Sequence, residues 1–457
     1  MTTPRGAIRA AVESRHAQAI ALSHRIHASP ELGFAERMAS SLIAAELAAC
    51  GLDVTLGVCD LPTALTATAG SGPLTIAICA EYDALPDIGH ACGHNIIAAS
   101  ACLAAAALAP VAADLGITLR VLGTPAEESG GGKALMLERG AFGGVHAALM
   151  AHPAARDCFE PFYPASSPLI ASYRGQAAHA AAWPERGINA ADAITVAQVG
   201  IGLLRQHILG TDRIHGFVSR GGSAANIVPD HTELTLTVRS ATLDGLQSLL
   251  PRVEACLRAG AMATGCSADI RQAAPVYAHV RHDAELAAAF AANARMLGHV
   301  PPVQEGPERA AGSTDMGNVS QVIPAIHPLM KIDSAGAVNH QPGFAAACAG
   351  PDADRLVASA ALALAWTIAD VATDPEHRAR LLAGQASSAE PTDRDLRRPA
   401  RAVLGCCIVR ELRHHTSEVI ARVRRGAGYV PQRPHPVTSA EPNPLTRALL
   451  EERESER

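Results

Sequence analysis

The chain has almost no lysine. Lys133 and Lys331 are the only two in 457 residues, so arginine carries nearly all the positive charge. Aromatic residues are scarce too, at 3%. There is no excess of positive charge: the net charge of -6 argues against a general nucleic-acid binder. The 11 cysteines show no paired short spacings, although Cys406 and Cys407 are adjacent. That pattern fits free thiols in a reducing compartment, not a disulfide framework. No apolar run reaches the length of a membrane span; the nearest, Ile96 to Val111, is short and alanine-dominated. Residues 1–16 are polar and charged and lack the apolar centre of a secretion signal. Internal repeats are absent. Together these absences lead to the expectation of a cytoplasmic protein with neither membrane nor nucleic acid as partner.

What is present is material for a large core. With 48% apolar and 18% charged residues the composition is that of a globular protein, and the length accommodates two domains and a tail.

Chemistry concentrates in one stretch, Glu81-Tyr-Asp83-Ala-Leu-Pro-Asp-Ile-Gly-His90-Ala-Cys92-Gly-His94-Asn95. The apolar run Leu74 to Cys79 predicts a buried strand leading into it, and Ile96 to Leu108 predicts a helix leaving it. A strand delivering a polar loop that opens a helix is a common way to set chemistry at the carboxyl edge of an α/β sheet. Two later segments repeat the arrangement. Residues 117–122 predict a strand running into Glu127-Glu128, and 146–151 predict another ending at His152-Pro153. In a mostly parallel sheet built from alternating strands and helices these ends lie side by side.

Upstream, residues 5–50 read as mostly helix, broken at His27-Ala-Ser-Pro30-Glu31-Leu-Gly-Phe34, with short strands at 53–58 and 62–68. From about residue 168 to 272 the order becomes β-α-β-β-α-β, that of a ferredoxin-like split βαβ unit. The expected architecture is α/β: a catalytic domain over 1–167 and 277–385, with an inserted α+β domain over 168–276. The second part includes a predicted strand at 323–329 and a helix at 354–369. Residues 386–457 form a tail, with ten arginines against three acids between Arg394 and Arg433 and proline enrichment after residue 430. Such a composition predicts poor order.

Cys92, His94, Glu128, His152 and His340 are residue types that hold divalent cations. Thiolate, imidazole and carboxylate together suit Zn²⁺ best, with Mn²⁺, Co²⁺ or Ni²⁺ open. A two-metal hydrolase also needs a base, and the adjacent Glu127 and Glu128 can divide base and ligand roles. Singly, each residue has an ordinary reading: an incidental Cys-Gly-His, a solvated Glu pair at a helix start, a structural histidine. Their convergence on the ends of neighbouring strands is what argues for a site.

The same segments resemble the M20 family of metallopeptidases, in its amidohydrolase branch. The resemblance rests on His27-Ala-Ser-Pro-Glu-Leu-Gly-Phe34, Glu81-Tyr-Asp-Ala-Leu-Pro86, Gly89-His-Ala-Cys-Gly-His94-Asn, Pro125-Ala-Glu-Glu128 and His152-Pro153. It continues through Gly175-Gln-Ala-Ala-His179-Ala, Gly187-Ile-Asn-Ala190, Asn226-Ile-Val-Pro229, Ser313-Thr-Asp315 and His340-Gln-Pro-Gly-Phe344. The wording is nearest to p-aminobenzoyl-glutamate hydrolases and β-alanyl-lysine dipeptidases, beside aminoacylase-like enzymes. The resemblance implies hydrolysis of an amide in a small N-acyl amino acid or dipeptide-like substrate, with two divalent ions, Zn or Mn, as cofactors. It implies Cys92, His94, Glu128, His152 and His340 as ligands, with Cys92 in the bridging position, and Glu127 as general base. Asp83 would steady a ligand, while Glu81 and His90 are expected to stay off the metals. The 168–276 insertion would be a lid through which a homodimer forms. His179 on it would stabilise the oxyanion in the partner subunit's site, Asn226 would hold substrate, and Arg239 would take a substrate carboxylate. The competing expectations are a deaminating hydrolase of a small ring or aromatic amine on the same scaffold, and a non-catalytic binding homologue. The tail after about 385 has no counterpart in this resemblance.

Overall fold

The computed structural model describes residues 3–303 and 312–388. The expected poorly ordered tail, including Cys406-Cys407, lies outside the described residues from 389 onward. In chain order the elements begin with α1 (Pro4–His27), α2 (Arg37–Ala49), β1 (Asp53–Leu56), β2 (Leu65–Gly70), β3 (Leu74–Glu81) and α3 (His94–Leu108). Then come β4 (Ile117–Thr124), α4 (Gly132–Glu138), β5 (Ala147–Leu149), β6 (His152–Ala154) and β7 (Ala165–Arg174). Next are α5 (Ala190–Leu204), β8 (Arg213–Arg220), β9 (His231–Ser240), α6 (Leu243–Thr264) and β10 (Ser267–Gln272). The chain continues with α7 (Ala284–Met296), α8 (Met316–Ser320), β11 (Ala325–Ile326) and β12 (Leu329–Lys331). It ends with α9 (Pro342–Ala347), α10 (Pro351–Thr373) and α11 (Pro375–Ser388).

Six strands form the main sheet in the order β1-β2-β4-β3-β5-β11. β3 runs parallel to both β4 and β5, and β11 runs parallel to β5, while β1 and β2 add an antiparallel edge. β3 alternates between two dry faces. Leu74, Ile76, Ile78 and Ala80 join the larger core, and Ala77 and Cys79 join the core on the other side. A strand buried on both faces reads as a continuous apolar run, which is why its sequence was plain. Helix α3 is buried along its whole length, so its apolar character extends all round.

Two helical stretches, His94–Val111 and Pro351–Thr373, are in fact long and apolar enough to cross a membrane by length and composition. This corrects the expectation from run length. The shares of their apolar windows buried inside the protein are 83% and 78%, as core packing against a sheet requires.

A second sheet has the order β10-β7-β9-β8 and is entirely antiparallel. With α5 and α6 it encloses a core of its own, including Leu234, Leu236 and Val238 from β9 and Leu246, Leu249 and Val253 from α6. β9 alternates buried and half-buried residues along all its length, as a strand with one face on helices must.

One local expectation fails. The segment 323–329 is divided between β11 and β12, while the strand expected at 146–151 is β5, Ala147–Leu149. β5 pairs with β11 in the main sheet, then both chains step aside and β6 pairs with β12 in a separate two-stranded sheet. Prolines at 153, 324 and 328 lack the N–H that a continuous ladder would use. The step is bridged by the His152 amide donating to the Pro328 carbonyl at 2.9 Å. His152 therefore opens a short strand instead of ending one, and its ring lies 5.4 Å from that of His327 on the adjacent step.

A buried ionic knot ties three elements together beneath this edge. The Lys133 ammonium at the start of α4 pairs with Glu81 at the end of β3 and, at 2.7 Å, with Asp315 ahead of α8. The Lys133 amide also donates to Asp315 at 2.7 Å. All three side chains are fully buried. Removing one partner of such a set leaves charges uncompensated in a dry interior. Lys133→Met is expected to destabilise the protein by about 3–5 kcal/mol. The combined Glu81→Gln, Lys133→Met, Asp315→Asn variant should recover most of that loss, as read by thermal unfolding.

Candidate metal centre

The site is assembled at the carboxyl edge of β3, β4 and β5. Gly93 has φ +81° and stands as the N-terminal cap of α3 between Cys92 and His94. A Cβ there would lie 2.4 Å from Pro153 Cγ, so only glycine allows this close turn. The turn sends Cys92 and His94 to one side. The loop after β4 carries Glu127 and Glu128 and is held by side chains from elsewhere. Glu36 accepts from the Ala126 amide at 2.8 Å, Asp83 accepts from the Glu128 amide at 2.9 Å, and the Tyr277 hydroxyl donates to the Glu127 carbonyl at 2.6 Å. Ala126 just before the pair has φ +57°, and His340 has φ +68°. Non-glycine residues in this region are strained and persist only where the surroundings impose them.

The donor atoms converge. Cys92, His94 and His152 offer one group of atoms within 4.8 Å of one another; Cys92, Glu128 and His340 offer a second, and His94, Glu127 and Glu128 a third. Cys92 Sγ is 3.4 Å from His152 Nε2, and His340 Nε2 is 3.4 Å from Glu128 Oε1. Each of the two buried histidines is oriented from behind. His94 Nδ1 is 2.9 Å from Asp83 Oδ1, and His152 Nδ1 is 2.8 Å from the Pro153 carbonyl. In both, Nε2 is turned toward the cluster, the arrangement that metal-binding histidines use. His94 Nε2 and Glu128 Oε1 are buried without a hydrogen-bond partner. Orphaned imidazole and carboxylate atoms, with the Cys92 sulfur beside them, fit a divalent cation.

Charge tells the same story. Burial works against an imidazolium at His94, yet Asp83 and then Glu81 hold it well above its ordinary range. That negative field favours a cation. Burial raises the Glu127 carboxyl well above the usual carboxylate range, reinforced by Glu81 and Glu128. Burial also opposes charge on Glu128, but the His340 imidazole 3.4 Å away and the nearness of His94 bring it below its ordinary value. The adjacent carboxyls thus differ in environment. Burial lowers His152 to about 4, so it stays a neutral nitrogen donor.

A cavity of about 610 Å³ opens over the cluster, lined among others by Cys92, Glu127, Glu128, His152, Arg239 and His340. Arg239 projects into it from β9, with Nη1 2.5 Å from Ser313 Oγ. His179 and Asn226 are exposed and do not line it. The structure brings Cys92, His94, Glu127, Glu128, His152 and His340 together with Asp83 behind them, and leaves His179 and Asn226 apart.

Some contributors were missed or set aside. Glu81 Oε2 lies 3.4 Å from His94 Nε2, and Glu81, Glu127 and Asp315 form a further cluster of oxygens within 4.8 Å. Glu81 therefore stands beside the donor cluster while its carboxylate is paired with Lys133. Lys133 had one signal, as one of only two lysines in the chain. Glu36, Tyr163, Tyr277 and His327 carry no local signature, because packing alone brings them here.

Residues 77–361 match the family described as Peptidase family M20/M25/M40. The chain is 38% identical over 376 residues to the Xaa-Arg dipeptidase of Mus musculus, covering 78% of this chain and 86% of that protein. It is 31% identical over 282 residues to a p-aminobenzoyl-glutamate hydrolase subunit of Escherichia coli (strain K12), covering 57% and 59%. Among solved structures it is similar to the aminobenzoyl-glutamate utilization protein of Klebsiella pneumoniae, with TM-score 0.64, 19% identity and coverage of 79% and 97%. A dinuclear metal binding peptidase of Bacillus subtilis is similar with TM-score 0.60, 22% identity and coverage of 79% and 99%. The fold, the clustered ligand types and the family match agree with the resemblance read from the motifs: the chain belongs to peptidase family M20/M25/M40.

Proposed function

We propose that this protein is a metal-dependent hydrolase of the amide bond in small dipeptide-like or N-acyl amino acid substrates. The observation that carries this is the buried cluster of thiolate, imidazole and carboxylate donors facing a cavity that also holds Glu127 and Arg239. The Xaa-Arg dipeptidase and p-aminobenzoyl-glutamate hydrolase relatives support the substrate class.

Cys92, His94, Glu128, His152 and His340 would hold two divalent cations, Zn²⁺ or Mn²⁺ first, with Co²⁺ or Ni²⁺ able to replace them. Such ions, when bound, supply Lewis-acid polarisation of a carbonyl and acidify a water. Glu127 would then take a proton from the attacking water and return it to the leaving amine. Its backbone, tied to Tyr277, keeps the carboxyl at the cavity wall. Asp83 would keep His94 in the tautomer that leaves Nε2 unprotonated. Arg239 would receive the substrate's free carboxylate, and the geometry of the guanidinium suits that pairing.

The unit over 168–276 would serve as a ferredoxin-like lid and dimerisation domain, bringing His179 and Asn226 to the site of a second copy, where His179 would stabilise the oxyanion. The supporting feature is a set of exposed apolar side chains on two elements: Phe217 on the edge strand β8 is 63% exposed, and Val199 and Leu203 on α5 are 60% and 71% exposed. These side chains favour a homodimer, and the cysteine pattern favours the cytoplasm as its compartment. The relative named as a subunit makes a hetero-complex the alternative outcome of a mass measurement by light scattering.

Glu127→Gln is expected to lower kcat by about 10²–10⁴ while metal content is retained. Persisting hydrolysis would remove Glu127 as base. Exhaustive chelation should abolish activity, and Zn²⁺ or Mn²⁺ should restore it. The assay is a panel of Xaa-Arg and β-alanyl dipeptides, p-aminobenzoyl-glutamate and N-acyl amino acids. Release of ammonia from a ring amine, with no amide cleaved, would favour deamination instead.

A further inference from the structure

Buried tyrosine hydroxyls are expensive to leave unpaired, and this protein pairs nearly all of them. Tyr82 donates to the Thr63 carbonyl at 2.6 Å, Tyr173 to the Leu257 carbonyl at 2.9 Å, and Tyr277 to the Glu127 carbonyl at 2.6 Å. Tyr163 is the exception among the described residues. It is 4% exposed, and its hydroxyl has no hydrogen-bond partner. Polar atoms in such positions normally find one.

Its location accounts for the exception. Tyr163 lines the same cavity as Cys92, Glu127 and Glu128. Its ring is held on both sides of the approach: it stacks on His327 with centroids 4.8 Å apart and an interplanar angle of 25°, and it packs with Ala154 and Leu329. His327 in turn lies against His152, 5.4 Å between centroids. The ring is thus keyed to the step between β5 and β6, which also sets His152. Such a phenol is oriented before any ligand arrives, and it loses nothing within the protein when it donates.

We propose that the Tyr163 hydroxyl is a catalytic hydrogen-bond donor to the scissile carbonyl oxygen as that oxygen gains negative charge. The donor comes from the same chain as the metal ligands, so it needs no second copy. This rests on the amide-hydrolase reading above. A pre-oriented donor aimed at developing charge in a water-poor site stabilises the transition state more than the ground state. Burial, with Cys92 and Glu81 nearby, pushes the phenol well above its ordinary range, so it remains a donor. The interaction balances simply: the proton stays on the tyrosine, and the only protons that move are those handled by Glu127.

The test is Tyr163→Phe in the full-length, metal-loaded protein. Because the hydroxyl has no partner to lose, the melting temperature should stay the same or rise, and metal content should be unchanged. kcat should fall about 10- to 100-fold with KM within about threefold. A phosphinate analogue of a cleaved dipeptide should bind weaker by a similar factor, while affinity for the product amino acid should not change. An unchanged kcat, or unchanged phosphinate affinity, overturns the proposal. A lower melting temperature accompanying the loss would make the hydroxyl structural and overturn it too, as would loss of metal. If the wild-type protein cleaves no amide in the panel, the functional reading fails by itself. Phosphinate binding by calorimetry, wild type against Tyr163→Phe, then still decides on the donor.

Discussion

The structure is arranged around a shortage of positive charge. Glu81, Asp83, Glu127, Glu128 and Asp315 are gathered at one sheet edge, nearly all out of reach of water. Lys133 is the only lysine set among them. Carboxylates do not stay together in a dry volume unless something balances them. Lys133 balances the inner pair, Glu81 and Asp315. The outer members are left facing His94, His152 and His340, and a divalent cation is the natural complement to that remainder. The inner knot and the outer donor cluster are therefore one electrostatic solution in two parts, a fixed ammonium behind and donor atoms that could take a divalent cation in front.

That solution explains several local departures from ideal backbone. Ala126 and His340 adopt positive φ without being glycine; Ala126 precedes Glu127, and His340 is itself one of the donors. The loop after β4 is clamped by Glu36, Asp83 and Tyr277, each reaching from a different part of the chain. The stepped pairing of β5 with β11 and β6 with β12 turns His152 inward and stacks His327 and Tyr163 beside it along the cavity. Rigid elements supply the positions, and the strain is confined to the short links between them.

Much of this was legible beforehand. Leu74 to Cys79 announced a doubly buried strand, and β10 came out at Ser267–Gln272 as the alternation from 267 to 272 predicts. The β-α-β-β-α-β order from about residue 168 was visible in the succession of strand and helix patterns, and the two helices open on Asn189 and Thr242 as capping residues. The strand at 323–329 was read as continuous because an apolar run does not say which partner it pairs with. The pairing of Glu81 with Lys133 was not legible, since strand spacing alone does not report which distant side chain meets a strand end.

The sequence by itself determined the residue types of the donor set, their order, and the family, because spacing within short loops constrains which side chains can share a point. Cys92 and His94 are joined by one glycine, and Glu127 adjoins Glu128, so their proximity is covalent. Only the tertiary structure decided what stands behind them. Lys133 meets Asp315 across 182 positions, Glu36 meets Ala126 across 90, and Tyr277 meets Glu127 across 150. Contacts of that separation depend on how helices and strands pack, and no local pattern encodes them.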